Sequence, residues 1–267
     1  MTAASELWKR KLLEGRDPVE RWRSPSGSGR AWNWAEVSEV VPETPDAVTL
    51  RMRVAEPEPF RPGQHFVLRV PLAGRPPAQR TFSPGSSPFP DPGVLDITVK
   101  EDPAGLVSPV LVRRVPVGAL LDVEGPYGVF TWTEADGGPV NMVAGGSGIA
   151  PLASILRYAA AKDLTVPMRV LYSSPDAAHV IYRDLLDGLA ARHSWLTIAR
   201  TFTRDTAEER AGFHRRVDAA MLEEFFGTTL GTSDLYVCGP PGLVEAVRAG
   251  AGELGVPDAQ VLSEEWE

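Results

Sequence analysis

Apolar and polar residues alternate along much of the first half of the chain. Ala47-Val-Thr-Leu-Arg-Met-Arg-Val54, His65-Phe-Val-Leu-Arg-Val70 and Val94-Leu-Asp-Ile-Thr-Val-Lys100 each return to an apolar side chain at about every second position. That is the period of a strand with one face on a core. From Trp32 to about Thr133, Pro57, Pro59, Pro62, Gly63, Pro71, Gly74, Pro76 and Pro77 interrupt the sequence at short intervals. Short strands with such breaks predict an antiparallel barrel or sandwich. Leu106 to Arg114 is the one helix predicted among them.

The period changes near Val140. Val140, Met142, Val143 and Ala144 form a short apolar run, and Gly145, Gly146, Ser147 and Gly148 follow with no large side chain. After Pro151, the residues Leu152, Ile155, Leu156 and Ala159 recur at helical spacing. Proline suits the first turn of a helix, so the stretch reads as strand, glycine turn and helix N-terminus. Strands are then predicted at Met168–Tyr172, Leu196–Thr201 and Asp234–Cys238. Helices are predicted at Ile181–Arg192, Arg216–Phe226 and Leu243–Leu254, with a tail from Gln260. Such alternation implies a parallel sheet with helices on both faces. Ligands of these sheets bind beyond the carboxyl ends of the strands. The glycine turn and Cys238-Gly239-Pro240-Pro241 both fall at such ends. The expected domains are an antiparallel β unit, barrel or sandwich, over residues 31–135 and a parallel α/β unit over 136–267. Residues 1–30 form an arm or linker ahead of them.

Composition removes several function classes. The 267 residues contain one cysteine, Cys238, which rules out an internal disulfide or a four-cysteine iron–sulfur cluster held by this chain alone. His65, His179, His193 and His214 lack a metal-ligand spacing, so no metal site is expected. The formal charge of −8 argues against nucleic acid as a general partner. No apolar run approaches a membrane span, and the N-terminus lacks a secretory apolar core, so a cytoplasmic location is expected. The arm carries Lys9, Arg10, Lys11, Arg16, Arg21 and Arg23 before a Ser/Gly linker. It reads either as a partly ordered extension or as a docking arm for an acidic partner.

Three further patterns carry candidate chemistry. In Arg80-Thr81-Phe82-Ser83, which follows a proline-rich turn and opens a strand-like segment, a guanidinium can pair with phosphate. Phe82 can lie against a flat ring and Ser83 can reach a ring nitrogen. Gly105-Leu106-Val107-Ser108, at the start of the helix, reads as an anion site or as simple N-capping. The glycine turn reads as a second phosphate site or as an ordinary αβ connection. It departs from the dinucleotide fingerprint, because Pro151 stands where a third glycine belongs.

Taken in order, these motifs resemble those of the ferredoxin–NADP reductase superfamily. Pro62-Gly63-Gln64, Arg80-x-Phe82-Ser83, Gly105-x-x-Ser108 and Gly125-Pro126-Tyr127-Gly128 are similar to its flavin-domain motifs. Gly145-Gly-Ser-Gly-Ile-Ala-Pro151 and Cys238-Gly-Pro-Pro241 are similar to its nucleotide-domain motifs. Glu264-Glu265-Trp266 resembles its Glu-x-aromatic ending, although Glu267 follows the aromatic residue here. The resemblance implies a flavin-binding β-barrel followed by a Rossmann-like nucleotide domain. Arg80, Thr81, Phe82 and Ser83 would hold the flavin, and Val99, Gly105, Leu106, Val107 and Ser108 would line its site. Gly146, Ser147, Gly148 and Pro151 would shape the nicotinamide dinucleotide's pyrophosphate site, with Ser173, Ser174, Thr203 and Arg204 further along that ligand. Cys238, Gly239 and Pro240 would lie at the nicotinamide, and Trp266 would close the site. Ser83, Cys238 and Glu264 would be the catalytic residues.

The implied cofactors are FAD, ahead of FMN, and NADH or NADPH. Asp176 stands where a cation would recognise a 2′-phosphate, which tilts the donor towards NADH; Arg204 opposes that tilt. The implied activity is hydride transfer from NAD(P)H to flavin, with electrons passed to a separate redox protein such as a ferredoxin or an oxygenase component. An iron–sulfur or haem partner would dock on a basic face, for which Arg51, Arg53, Arg69, Arg75, Arg113 and Arg114 are candidates. The alternatives are an NADH-dependent reductase of free flavin or ferric chelates, and a non-catalytic nucleotide-binding subunit.

Overall fold

A computed structural model describes residues 32–205 and 212–265. The first part is a six-stranded antiparallel sheet built from β1 (Asn33–Thr44), β2 (Ala47–Val54), β3 (His65–Leu72), β4 (Arg75–Phe82), β5 (Val94–Lys100) and β6 (Leu120–Tyr127). The strand order is β4-β3-β6-β1-β2-β5. Beyond β4 an isolated antiparallel bridge joins Pro84 to Ile97, and the Gly85 N–H donates to Asp96 O at 2.8 Å. These contacts bring the two edges together, so the sheet curls into a barrel, as the alternating pattern predicted. A short helix, α1 (Ser108–Arg114), follows β5. Leu50, Met52, Leu68, Leu95, Ile97 and Leu121 form the centre of the barrel core.

The second part is a five-stranded parallel sheet. Its strands are β7 (Val140–Gly145), β8 (Met168–Ser174), β9 (Leu196–Phe202), β10 (Leu235–Gly239) and β11 (Val261–Glu265), in the order β11-β10-β7-β8-β9. Helices α2 (Ile149–Ala161) and α3 (Arg183–Arg192) cover one face with a core that includes Ile155, Leu156 and Leu186. Helices α4 (Ala219–Phe226) and α5 (Pro241–Glu253) cover the other through Met221, Leu222, Val244 and Val247. The chain leaves β7 in one direction, through β8 and β9, and returns to its other side for β10 and β11. The switch point therefore lies between the ends of β7 and β10, where such sheets bind ligands.

Strand β5 shows how the two parts join. Leu95, Ile97 and Val99 point into the barrel core, while Asp96 and Thr98 are buried on the opposite face. There Asp96 Oδ2 meets Arg157 Nη1 of α2 at 2.7 Å. The Ser154 hydroxyl, also on α2, donates to Ser86 O at 2.6 Å, and Tyr236 Oη donates to Thr131 O at 3.1 Å.

Three expectations are corrected. Arg80 to Ser83 closes a strand rather than opening one, because Pro76 and Pro77 lie inside β4 instead of in a turn. Prolines are tolerated there because β4 is an edge strand whose register with β3 shifts between Val70 and Leu72. Helix α3 begins at Arg183 rather than Ile181, since Tyr182 has a left-handed backbone. Helix α4 begins at Ala219 rather than Arg216, because Asp218 caps it through the Met221 N–H at 2.8 Å. The arm expected over residues 1–30 lies outside the described residues.

Candidate active site

The ends of β7 and β10 touch backbone to backbone. A Cβ on Gly239 would lie 3.1 Å from Gly145 Cα, and a Cβ on Gly148 would overlap the Cys238 carbonyl. Two of the motif glycines and Gly145 thus serve packing of one strand end on the other. Gly146 differs: it has φ +53° and open space where a side chain would stand. Gly146 and Ser147 are the half-buried residues of the turn, whereas Gly148 and Pro151 are buried in the first turn of α2. The Tyr172 hydroxyl, on β8, fixes the turn by donating to Gly146 O at 3.0 Å.

Cys238 is fully buried in the nucleotide-side core, opposite Ala144 on β7 and Glu264 on β11. Pro240, by contrast, is exposed. Glu264 reaches across to the barrel, with Oε1 3.5 Å from His65 Nδ1 on β3. Its Oε2 is buried and has no hydrogen-bond partner among the described residues. Arg248 of α5 holds this terminal strand in place through Ser263 Oγ at 3.0 Å and Val261 O at 3.1 Å.

On the barrel side, Phe82 is half-buried opposite Phe66, and Ser83 follows directly. Ser83 is 5% exposed, yet its hydroxyl has no partner among the described residues. An unpaired buried hydroxyl costs about 1–3 kcal/mol, so it marks an atom kept for something other than the chain. Arg80 is exposed, and its guanidinium pairs with no carboxylate among the described residues, donating only to Gln79 O at 2.8 Å. Thr81 lies between them, half-buried.

The other candidates fall into two groups. Ser108 does not cap α1: its Oγ accepts the Asp102 N–H at 3.0 Å and closes the 102–108 turn that contains Gly105. Leu106 is exposed and Val107 buried. Val99 is 1% exposed in the barrel core, so only its backbone is available to a ligand. Ser173 and Ser174 end β8, and backbone bonds from Thr203 to Ser174 O (3.0 Å) and from Arg204 to Pro175 O (2.8 Å) hold the next loop beside them. Thr203 and Arg204 are exposed there. The Asp176 carboxylate accepts the Ala178 and His179 N–H groups and contacts His179 Nδ1 at 2.8 Å. The hydrogen bond from His179 holds its pKa below the ordinary carboxylate value. Trp266 lies outside the described residues.

The basic docking face proposed from the sequence is largely neutralised. Arg51 pairs with Asp96 and Glu39, Arg53 with Asp91, Arg69 with Asp122 and Arg113 with Glu101. Those partners lie 12 to 53 positions away in sequence, which is why the arginines looked free.

His65 lies outside the motifs, and Tyr127 lies in the Gly125-Pro126-Tyr127-Gly128 motif without an assigned role. They face each other in register at the ends of β3 and β6, with ring centroids 6.1 Å apart. Its place directly after Pro62-Gly63-Gln64 is the sequence signal for His65. A cleft of about 560 Å³ opens nearby at the domain junction, lined by Arg61, Gln64, Val129, Asp234 and Tyr236 among others. It contains neither Ser83 nor Cys238, so it is a neighbour of the site rather than its centre.

An antiparallel barrel joined to a parallel sheet, with its switch point at two glycine-bearing strand ends, is the two-domain architecture that the motif resemblance implied. Residues 35–132 match the oxidoreductase FAD-binding domain family and residues 142–249 the oxidoreductase NAD-binding domain family. The chain belongs to the FAD- and NAD-binding oxidoreductases of the ferredoxin–NADP reductase superfamily. It is 29% identical over 236 residues to the reductase component of propane 2-monooxygenase from Gordonia sp. (strain TY-5), covering 86% of this chain and 66% of that protein. It is 30% identical over 271 residues to the flavohemoprotein of Bordetella pertussis, covering 95% of this chain and 65% of the relative. The chain thus spans just under two-thirds of these relatives' lengths. Among solved structures, the FAD/NAD-binding domain of nitric oxide dioxygenase from Vibrio cholerae O1 superposes with a TM-score of 0.79 at 23% identity, over 89% of this chain and 99% of that one, a likeness of fold.

Proposed function

We propose that this chain is an NAD(P)H-dependent flavin oxidoreductase that delivers electrons to a separate redox protein. FAD, when bound, would supply the hydride- and electron-transfer chemistry, and the chain's residues would hold and align it. The observation that carries the reading is a pair of buried polar atoms without a partner among the described residues, Ser83 Oγ and Glu264 Oε2, one from each domain. Both sit in segments that touch the opposite domain: Ser86 O accepts from Ser154, and Glu264 meets His65. A bound ligand that reached each atom would supply the partner that the described residues do not.

In this reading Phe82 packs on the flavin ring and Ser83 bonds its reactive edge. Arg80 holds phosphate, and Val99, Gly105 and Ser108 line the site by backbone and turn. Gly146 and Ser147 take the nucleotide pyrophosphate, and Gly239 and Pro240 let the nicotinamide approach. Cys238 and Glu264 orient it. The chain's task is alignment and exclusion of water. Asp176, held ionised by its own turn, stands just past β8 and favours NADH over a 2′-phosphorylated donor. A cytoplasmic location belongs to this proposal; among the described residues, no helix is long and apolar enough to cross a membrane.

The acceptor is a ferredoxin-like or oxygenase partner, in keeping with the reductase component among the relatives. The neutralised arginines of β2 and β3 favour a second reading, a reductase of small acceptors, which needs no basic docking face. Turnover of NADH with free flavin, compared with turnover in the presence of a ferredoxin, separates the two. Acceleration by the ferredoxin supports the first, and saturation with free flavin alone supports the second.

A further inference from the structure

Tyr182 carries none of the roles described above. With Asp163 it is one of two non-glycine residues of positive φ among the described residues, at 58°. A bulky side chain keeps that backbone only where its surroundings over-determine it. Here the barrel does so from both ends of the residue. The Tyr182 N–H donates to Glu43 Oε2 at 3.0 Å. Glu43 Oε1 accepts the Thr49 hydroxyl at 2.7 Å, and Thr49 Oγ1 lies 2.7 Å from Thr98 Oγ1. Thr98 Oγ1 is bonded to the Tyr182 hydroxyl, which closes the ring. An ionised carboxylate only accepts, so the directions follow: Tyr182 donates to Thr98, Thr98 to Thr49 and Thr49 to Glu43. Thr49, Thr98 and Tyr182 are each at most 4% exposed, and burial strengthens such a chain.

The ring abuts both halves of the candidate site. A Cβ on Gly85, two residues past Ser83, would overlap the Tyr182 hydroxyl. On the nucleotide side, the Ile181 N–H donates to Tyr172 Oη at 3.2 Å, and that hydroxyl donates to Gly146 O. Arg157 sits 5.3 Å from the centre of the Tyr182 ring while it pairs with Asp96. The glycine turn and the Ser83 segment are therefore held by one connected set of contacts.

We infer that Tyr182 is a positioning residue: closed into a ring with Thr98, Thr49 and Glu43, it latches the two domains at one fixed separation of the glycine turn from Ser83. That this separation serves hydride transfer rests on the proposed oxidoreductase function; the latch itself does not.

The test uses the full-length FAD-loaded protein with Tyr182→Phe, Thr98→Val, Thr98→Ser and the Tyr182→Phe/Thr98→Val double variant. Calorimetry and small-angle scattering read domain coupling, and anaerobic stopped-flow reads flavin reduction by NADH. Tyr182→Phe and Thr98→Val are each expected to slow reduction by about tenfold, the factor carried by one lost buried hydrogen bond, with NADH affinity held within about twofold. Each should also split a single thermal transition into two. The double variant should be no worse than either single one, and Thr98→Ser should restore both readouts. Additive losses, or single variants that match wild type in coupling and rate, overturn the latch. Should wild type fail to be reduced, the oxidoreductase reading falls. The latch is then decided by calorimetry and scattering: splitting in Tyr182→Phe but not in Thr98→Ser upholds it, and any other pattern overturns it.

Discussion

Ser83 and Cys238 are both small, buried and close to strand ends, but they make opposite predictions. Ser83 Oγ has no partner among the described residues, so removing it takes away a desolvated atom without breaking a bond to them. Ser83→Ala should therefore leave the melting temperature of the flavin-free protein unchanged or slightly raised, while flavin reduction slows by about tenfold or more. A large loss of stability on calorimetry would show that the hydroxyl holds the fold instead. Cys238 packs against the core, and Cys238→Ser should slow flavin reduction without abolishing flavin binding, as read by stopped-flow and by retained yellow colour. Unchanged reduction would remove it from the site. The motif residues were legible in the sequence as chemical types. Which of their atoms stay unpaired was not, because that depends on neighbours from other strands.

Among elements, the glycine turn divides into positions that sequence alone treats alike. Gly148→Ala should cost about 3 kcal/mol, near the top of the usual range for an overpacked site, since its Cβ would overlap the Cys238 carbonyl. Gly146→Ala has open space and should cost only about 1 kcal/mol of left-handed backbone strain. Denaturant unfolding of the two variants checks the order. Periodicity located β2 and β5 at their observed bounds and placed β7 to β10 nearly so, because both faces of those strands follow a simple burial rule. It failed at β4, whose edge position hides two prolines, and at the start of α3, where a tertiary contact sets the backbone of Tyr182. The tail after Gln260 showed no strand signal; β11 forms because β10 and Arg248 give its backbone partners.

Across the whole molecule, the domain interface is the least legible feature, and it holds groups that titrate towards both extremes of pH. Its bonds join residues 61 to 139 positions apart, beyond any local pattern. Burial pushes the Asp96 carboxyl up, but hydrogen bonds and charge from Arg51 and Arg157 outweigh it and hold it below its ordinary value of 3.8. The stabilisation it brings is complete above that value and is lost as pH falls through the lower folded value. Burial raises the Tyr182 hydroxyl from 10.0 to about 12, so its contribution is complete below pH 10 and is lost as pH rises towards 12. Calorimetry should then show one coupled transition at neutral pH and weaker coupling at both extremes. Coupling that rises at alkaline pH would contradict the assignment.

The central claim is that this chain moves a hydride from a nicotinamide to a bound flavin. Anaerobic titration of the FAD-loaded protein, following the visible absorbance of oxidised flavin, tests it directly. Bleaching is expected to be complete at one equivalent of NADH and to be slower with NADPH. Flavin that stays oxidised under both nucleotides would contradict it.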